Sequence, residues 1–484
     1  MFTTGGTRLK VKADDIKNKA VTLSSTATSQ STTEITNTKG TDIQGDTAPQ
    51  GLQTKATQLQ TKASSLYNAA DGIVQAARDS GSPLTTLQGP AGDLKNAAKK
   101  APPDTDSLYY HAGQLANHTP GSGDLEPKAT KVITAFDKVQ GHYEALMKKA
   151  SDEQKKNPLV TAVKTKFEEL KSEYDGMLNF TKLKKKAGEL KDTAGNQTGT
   201  ELTGKLQTPA TELATRAQNL SDAAGAVTDN TLKAQATALK DAAKGPEPDT
   251  SSLNAKASAL QSTPNQYDKA KPVIIAFDTV KQQFDELIKL AIEHGKLSLV
   301  QNVESAFKEL KTHYDTMMPF TKIKYYSDQI SIQAGNLRES GGATEADKIV
   351  RYFEFMNQAY YKLTDKEEQT KVKNEFEPLK SVYDQILNVT KMKKYADEVY
   401  IKAPQIDIGT ATPSEVKTLI DTIEKIYDGA DQTAQDNVKS HWEALKGVIN
   451  GEMKHWKFIW IIPPSIVTQW LNFLIYVILL VVYH

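Results

Sequence analysis

The chain has 484 residues, of which 38% are hydrophobic and 25% are charged, and it contains no cysteine. Without cysteine, disulfide frameworks, Cys-based zinc sites and thiol catalysis are all excluded. Sixty Lys and Arg residues nearly cancel 59 Asp and Glu residues, which leaves a net charge of +1. We therefore expect no nucleic-acid partner, because no overall positive field attracts one.

The first 50 residues are polar and rich in Ser and Thr. Residues 1–20 contain no apolar core of signal-peptide length. Residues 21–50 show little hydrophobic periodicity, and a segment that cannot bury apolar surface stays disordered. We therefore predict that segment 1–50 is disordered.

One pattern of 13 residues occurs four times in the remaining chain: VKTKFEELKSEYD, VESAFKELKTHYD, VKNEFEPLKSVYD and the degenerate VKSHWEALKGVIN. Its apolar positions follow steps of four, three and four, which places them on one face of a helix. We predict that this face forms the repeat core. In the three clear copies it comprises Val163, Phe167, Leu170, Tyr174, Val303, Phe307, Leu310, Tyr314, Val372, Phe376, Leu379 and Tyr383.

Another apolar helix pattern precedes each clear copy: VITAFDKVQGHYEALMKKA from Val132, VIIAFDTVKQQFDELIKLA from Val273 and a shortened relative from Ile349. Each pair predicts an antiparallel helical hairpin. The fold class we predict is all-α, with tandem hairpins in elongated bundles or a solenoid. The predicted helical modules are 51–200, 201–340, a shortened 341–400 and a degenerate 401–457.

An uncharged apolar run, FIWIIPPSIVTQWLNFLIYVILLVVY, follows the last repeat. Its part after the two prolines would span roughly 28 Å as a helix, close to a hydrocarbon core of about 30 Å. Segment 458–484 is therefore a predicted single-pass membrane helix that contacts lipid. Its predicted anchoring residues are Trp460, Trp470, Leu471, Phe473, Ile475, Leu479 and Tyr483.

The side of the membrane stays open. Lys454, His455 and Lys457 precede the run, and the positive-inside bias would place the large N-terminal part in the cytosol. A lipid-anchor signal cleaved near Asn450, or the first span of a longer protein, would fit the same run.

The nearest approach to a catalytic motif is GTELTGKL, residues 199–206, which resembles a phosphate-binding loop. Leu206 replaces the Ser or Thr that would hold magnesium, and no strand pattern precedes the motif. The eight histidines show no ligand spacing and fit surface positions. We therefore predict no enzyme activity, no metal and no cofactor, and nucleotide binding at this motif is the enzymatic alternative.

Two lysine clusters follow the repeat pattern: Lys182, Lys184, Lys185 and Lys186, and Lys391, Lys393 and Lys394. They allow two interpretations. Either they contact anionic lipid, or they lie near helix C-termini, where cations are favourable, or on a solvated face. We favour the second.

The Ala/Lys/Thr/Leu-rich repeats, the recurring Phe-x-x-Leu-Lys-x-x-Tyr blocks and the apolar C-terminal run resemble repeat-type membrane proteins of piroplasm parasites (Theileria, Babesia), the Tpr-related family. The resemblance covers residues 50–484 and carries over no functional residue. It implies an integral membrane protein, exposed to the host.

The function we expect is a non-enzymatic, membrane-anchored repeat protein that presents an interaction surface to a protein partner, with self-association as a further expectation. The alternative is a tail-anchored tether or lipid-surface organiser on the cytosolic side.

Overall fold

A computed structural model describes residues 3–42, 51–119, 123–202, 206–261, 267–363, 365–406 and 408–459. These residues form α-helices and short turns, with no strand among them, so the predicted all-α fold class is confirmed. The helices of the described residues are α1 Thr3–Gly40, α2 Leu52–Ala76, α3 Gln88–Ala98, α4 Leu108–Ala116, α5 Leu125–Lys149, α6 Asp152–Lys155, α7 Pro158–Asp175, α8 Asn179–Leu202, α9 Gln207–Gly225, α10 Lys233–Ala243, α11 Leu253–Gln261, α12 Tyr267–Glu293, α13 Gln301–Thr316, α14 Pro319–Glu339, α15 Ala343–Lys362, α16 Lys366–Gln385, α17 Asn388–Gln405, α18 Pro413–Gly429 and α19 Gln432–Ile459.

Three antiparallel hairpins share one internal contact, a double stack of aromatic rings. In the hairpin of α5 and α7, Phe136 stacks on Tyr174 with ring centroids 3.6 Å apart, and Tyr143 stacks on Phe167 at 3.8 Å. The hairpin of α12 and α13 repeats both stacks at 3.6 and 3.9 Å, and that of α15 and α16 at 3.6 and 3.7 Å. The twelve predicted repeat-core residues are all buried, and the largest exposed fraction among them is 8%.

Each hairpin belongs to a four-helix bundle. Bundle I contains α2, α5, α7 and, along its remaining side, the two short helices α3 and α4. Bundle II repeats this arrangement with α9, α12, α13 and the pair α10 and α11. Bundle III consists of α8, α14, α15 and α16, and bundle IV of α1, α17, α18 and α19. Bundles II and III share one apolar core, whereas bundles I and IV have their own.

Bundles III and IV each take one helix from far upstream in the sequence. We call α8 and α1 the strap helices, because α8 packs between α14 and α16, and α1 packs between α17 and α19. The chain connections between the bundles are therefore nested and do not cross one another, as is usual in proteins. The predicted modules 51–200, 201–340 and 341–400 therefore differ from the bundles, since α8, α14 and α17 each pack outside the hairpin that precedes them.

Helix α1 occupies residues for which the sequence predicts disorder. Ile16, Ala20, Leu23 and Ala27 recur at helical spacing and are buried against α17 and α19. The Ser and Thr side chains that obscure this pattern bond back to the helix, as Thr22 does to the Asn18 carbonyl oxygen at 3.0 Å. Tertiary packing thus overrides the weak helix propensity of these residues.

The predicted membrane segment is only partly described. Residues 460–484, with all seven predicted anchoring residues, lie outside the described residues. Among the helices that the structure does describe, none combines the length and the apolarity needed to cross a bilayer. The C-terminal membrane helix stays a prediction.

Candidate functional site: three helix corners

Three sharp corners connect the bundles, at residues 174–182 (corner A, α7 to α8), 314–322 (corner B, α13 to α14) and 383–391 (corner C, α16 to α17). The turning residues Leu178, Met318 and Leu387 have φ angles of 58°, 51° and 55°. This left-handed region disfavours residues with side chains. All three side chains are nevertheless buried, so apolar packing holds the strained backbone in place.

A buried lysine occupies the same position in each corner. Lys182, Lys322 and Lys391 are only 2%, 2% and 3% exposed. Each ammonium group donates a hydrogen bond to the carbonyl oxygen of the tyrosine eight residues earlier. It also lies over the ring of that tyrosine, 4.0, 3.8 and 4.2 Å from the centroid. Each of these carbonyl oxygens also accepts a hydrogen bond from the amide three residues later, so the corner lysine adds a second bond at the end of one helix while belonging to the next helix.

Burial shifts the protonation of these groups. The pKa of each corner lysine is lowered to about 7, because its charged form loses hydration. In corners A and C the Oδ1 atoms of Asn179 and Asn388 accept a second hydrogen bond from the lysine at 3.2 Å. Corner B has Pro319 at this place, so Lys322 lacks an equivalent amide acceptor there.

A carboxylate from a strap helix, or from the turn that ends it, reaches each corner and caps the new helix. At corner A, Asp42 accepts hydrogen bonds from the Thr181 amide at 3.0 Å and the Thr181 hydroxyl at 2.5 Å, as well as from the Phe180 amide. At corner B, Glu201 accepts the equivalent three bonds at 2.6 to 2.8 Å. Such N-terminal capping satisfies free amides and places negative charge at the positive end of the helix dipole.

Corner C has the weakest cap of the three. Glu34 of α1 accepts a hydrogen bond from the Val389 amide at 3.2 Å, and the Asn388 and Thr390 amides lie close enough to lower its pKa. Among the described residues, its buried Oε2 atom and the buried Thr390 hydroxyl have no hydrogen-bond partner. Burial raises the pKa of all three capping carboxyls, and that of Glu34 reaches about 7.

Corner B adjoins a cavity of about 20 Å³, which Tyr314, Lys322 and Tyr326 help to line. A space of this size accommodates one water molecule. The Tyr326 hydroxyl donates to Asp278 at 2.9 Å, and burial raises the pKa of Asp278 to about 6. At corner A a lysine of α8 stands in place of this tyrosine, since Lys186 pairs with Asp137 of α5 at 2.6 Å.

The two lysine clusters lie at helix N-termini, which corrects the prediction that they lie near C-termini. Lys182 and Lys391 are buried in the corners. The other five form ion pairs within the protein. Their partners are Glu126 for Lys184, Glu189 for Lys185, Asp137 for Lys186, Asp347 for Lys393 and Glu354 for Lys394. These pairings leave no free cationic patch at these seven positions.

The remaining candidate motifs do not converge. Gly199 lies in the last turn of α8, and residues 203–205 of the phosphate-loop-like motif lie outside the described residues. His313 is half-buried, with Nε2 at 2.8 Å from the Pro209 carbonyl oxygen, so it packs against α9 instead of facing solvent. Within the described ranges, no group of three or more His, Asp or Glu side chains could hold a metal ion.

Sequence reasoning missed the corner lysines because their charge suggests exposure. The signal was nevertheless present, as Tyr-Asp-x-(Met/Ile)-(Leu/Met)-x-(Phe/Val)-Thr-Lys recurs in all three copies. A Thr-Lys pair preserved at a fixed distance from a core tyrosine indicates a specific contact.

No known protein family, curated protein or solved structure matches this chain. The resemblance to piroplasm repeat proteins therefore stays a prediction.

Proposed function

We propose that the chain is a non-enzymatic helical scaffold, held at a membrane by its C-terminal apolar segment, that presents the outer faces of its bundles to a protein partner. This proposal rests on one observation: the buried residues are the same from hairpin to hairpin, whereas the exposed residues differ. Bundles I to III repeat the same two aromatic stacks, and the corners that leave them repeat the same buried lysine. Repeats of this kind add surface without requiring a new core.

The exposed positions of the same hairpins vary in charge and polarity. The residue after the central phenylalanine of α7, α13 and α16 is Glu168, Lys308 and Glu377, respectively. Ile275 is 43% exposed at the position where α5 has Thr134, and Tyr361 is 59% exposed where α5 has Glu144. An exposed aromatic residue on a rigid helix is typical of a contact residue in protein interfaces.

The lipid-surface alternative draws no support from the lysine clusters, because each of their lysines is buried or ion-paired. The membrane part of the proposal rests on the apolar run alone. Self-association and the resemblance to host-exposed piroplasm proteins remain predictions. Both are compatible with a protein partner and with a lipid surface.

The test uses the full chain in its native membrane. A photoreactive amino acid replaces Ile275 or Tyr361 in separate variants, and the matched controls carry it at Thr134 or Glu144. We expect one discrete protein adduct from Ile275 or Tyr361 that the control positions do not give. The scaffold proposal fails if no position yields a protein adduct. Loss of membrane association on ending the chain at residue 459 tests the anchor separately.

A further inference from the structure

We propose that α1 is a releasable strap: bundle IV opens by detachment of α1 from α17 and α19 while the other three helices stay folded. Helix α8, the strap helix of bundle III, has the same arrangement as α1 and allows a direct comparison. Both straps lie antiparallel to the helix that follows a corner, and both send a carboxylate to the start of that helix.

The two straps differ in how firmly this carboxylate is held. Glu201 of α8 uses both oxygens and accepts three hydrogen bonds of 2.6 to 2.8 Å. Glu34 of α1 accepts one bond of 3.2 Å, and in the described part of the chain its second oxygen and the neighbouring Thr390 hydroxyl are buried without partners. A buried polar atom without a partner destabilises the state that buries it.

The straps also differ in how they are tethered. Helix α8 continues into bundle II at one end and follows corner A at the other, so it is held on both sides. The C-terminal end of α1 is fixed to other bundles, because Asp42 caps corner A, Lys39 donates a hydrogen bond to the Gly341 carbonyl oxygen at 2.6 Å, and Ile35 lies in the core of bundles II and III. Glu34 and Val389 are 355 residues apart in sequence, against 119 for Glu201 and Phe320. Further towards the start of α1, Ile16, Ala20, Leu23 and Ala27 lie in the core of bundle IV, so their release disturbs no other core.

The seam of α1 is built from small and polar residues. Between Ile16 and Ile35 its buried residues are Ala20, Leu23, Ser24, Ala27 and Ser31. Ser24 adds one polar contact, a 2.5 Å hydrogen bond to Asp397 on α17. Burial raises the pKa of Asp397, whereas the hydrogen bond from Ser24 lowers it.

Release would uncover a seam of helix width. On α17 the seam contains Ala396, Val399 and Ala403, and on α19 it contains Val438, Trp442 and Leu445. Helix α19 leads towards the apolar C-terminal run. The open state thus presents an apolar surface on the helix that precedes the predicted membrane segment in sequence.

Hydrogen exchange on the full chain tests this inference, with α8 as the control within the same molecule. We expect the amides of residues 16–35 to exchange at least tenfold faster than those of 183–198, while α17, α18 and the part of α19 before residue 449 stay protected. Equal protection of the two straps, or exchange of α1 only together with α17 and α19, would overturn the proposal.

A matched pair of variants adds a second readout. Glu201→Ala removes three hydrogen bonds and is expected to accelerate exchange in α8 more than tenfold. Glu34→Ala removes one bond and a buried unpartnered oxygen, so the exchange rate of α1 should change less than threefold. A larger acceleration by Glu34→Ala than by Glu201→Ala would show that α1 is firmly held, contrary to the proposal.

Discussion

Lys322 lies over the ring of Tyr314, with its ammonium nitrogen 3.8 Å from the ring centroid, and donates a hydrogen bond to the Tyr314 carbonyl oxygen. Tyr314 belongs to α13 of bundle II, and Lys322 to α14 of bundle III. The pair therefore joins two bundles through a single buried cation. Corners A and C repeat this contact, so the same pair of residues links successive long helices at three places.

The buried corner lysines make stability depend on pH. Their pKa is lowered to about 7 in the folded chain from an ordinary 10.5, so between these values the unfolded chain binds more protons. We expect the free energy of unfolding to rise from pH 7.5 to 9.5, by up to about 1.4 kcal/mol per lysine for each pH unit. Urea denaturation followed by circular dichroism measures this slope.

The control for the pH prediction lies on α13. Lys322→Met should reduce the slope, whereas Lys308→Met, at an exposed position, should leave it unchanged. Identical slopes for the two variants would mean that Lys322 keeps its proton throughout this range, which would contradict the prediction.

Three equivalent threonines should respond differently to loss of the hydroxyl. Thr181 and Thr321 donate to capping carboxylates at 2.5 and 2.6 Å, whereas the Thr390 hydroxyl has no partner among the described residues. Substitution of either bonded threonine by valine should lower the free energy of unfolding by about 1–3 kcal/mol. Thr390→Val should have no destabilising effect. Urea midpoints of the three variants compare the corners directly, and equal losses would count against the weak cap at corner C.

The stacked rings should dominate the stability of the hairpins. Phe277→Ala removes a buried ring that stacks on Tyr314, and we expect a loss of about 3–5 kcal/mol. Ile275→Ala, two residues away on the exposed face of α12, should change stability by less than about 0.5 kcal/mol. Thermal unfolding measures both, and a comparable effect of the two would show that the stack contributes little.

The left-handed corner residue combines backbone strain with apolar burial. Leu387→Gly relieves about 1 kcal/mol of strain but removes a fully buried leucine side chain, worth about 2–3 kcal/mol. The variant should therefore be less stable by about 1–2 kcal/mol. Gly409→Ala tests the effect of backbone conformation alone, because Gly409 has a φ of 76° and open space around the added carbon. We expect this variant to be less stable because of backbone strain. A stabilised Leu387→Gly protein would mean that strain outweighs burial.

The sequence predicts the hairpins well, because steps of four, three and four place Phe307, Leu310 and Tyr314 on one helix face. It does not predict how hairpins are completed, since α8 and α1 pack on helices that are distant in sequence. The sequence also predicts the wrong environment for two lysines. Lys182 and Lys391 are expected at the surface, but the structure buries them against a tyrosine ring and a helix carbonyl, which compensate for their burial. In α1, the many Ser and Thr residues obscure the helical spacing of the buried apolar residues. That spacing is recognised only once the helices that pack against it are known.

Helix α1 completes bundle IV although more than 300 residues separate it from the other three helices, and the absence of cysteine allows a direct test. A Ser24→Cys and Asp397→Cys double variant places thiols where side-chain oxygens lie 2.5 Å apart, while a Ser24→Cys and Gln235→Cys control places the second thiol on α10 of bundle II, at a position that is half-buried like Asp397. Treatment of the folded chain with a short thiol–thiol crosslinker should give a rapid intramolecular product for the first pair only. No crosslink for that pair, or crosslinks only between chains, would contradict the nested fold.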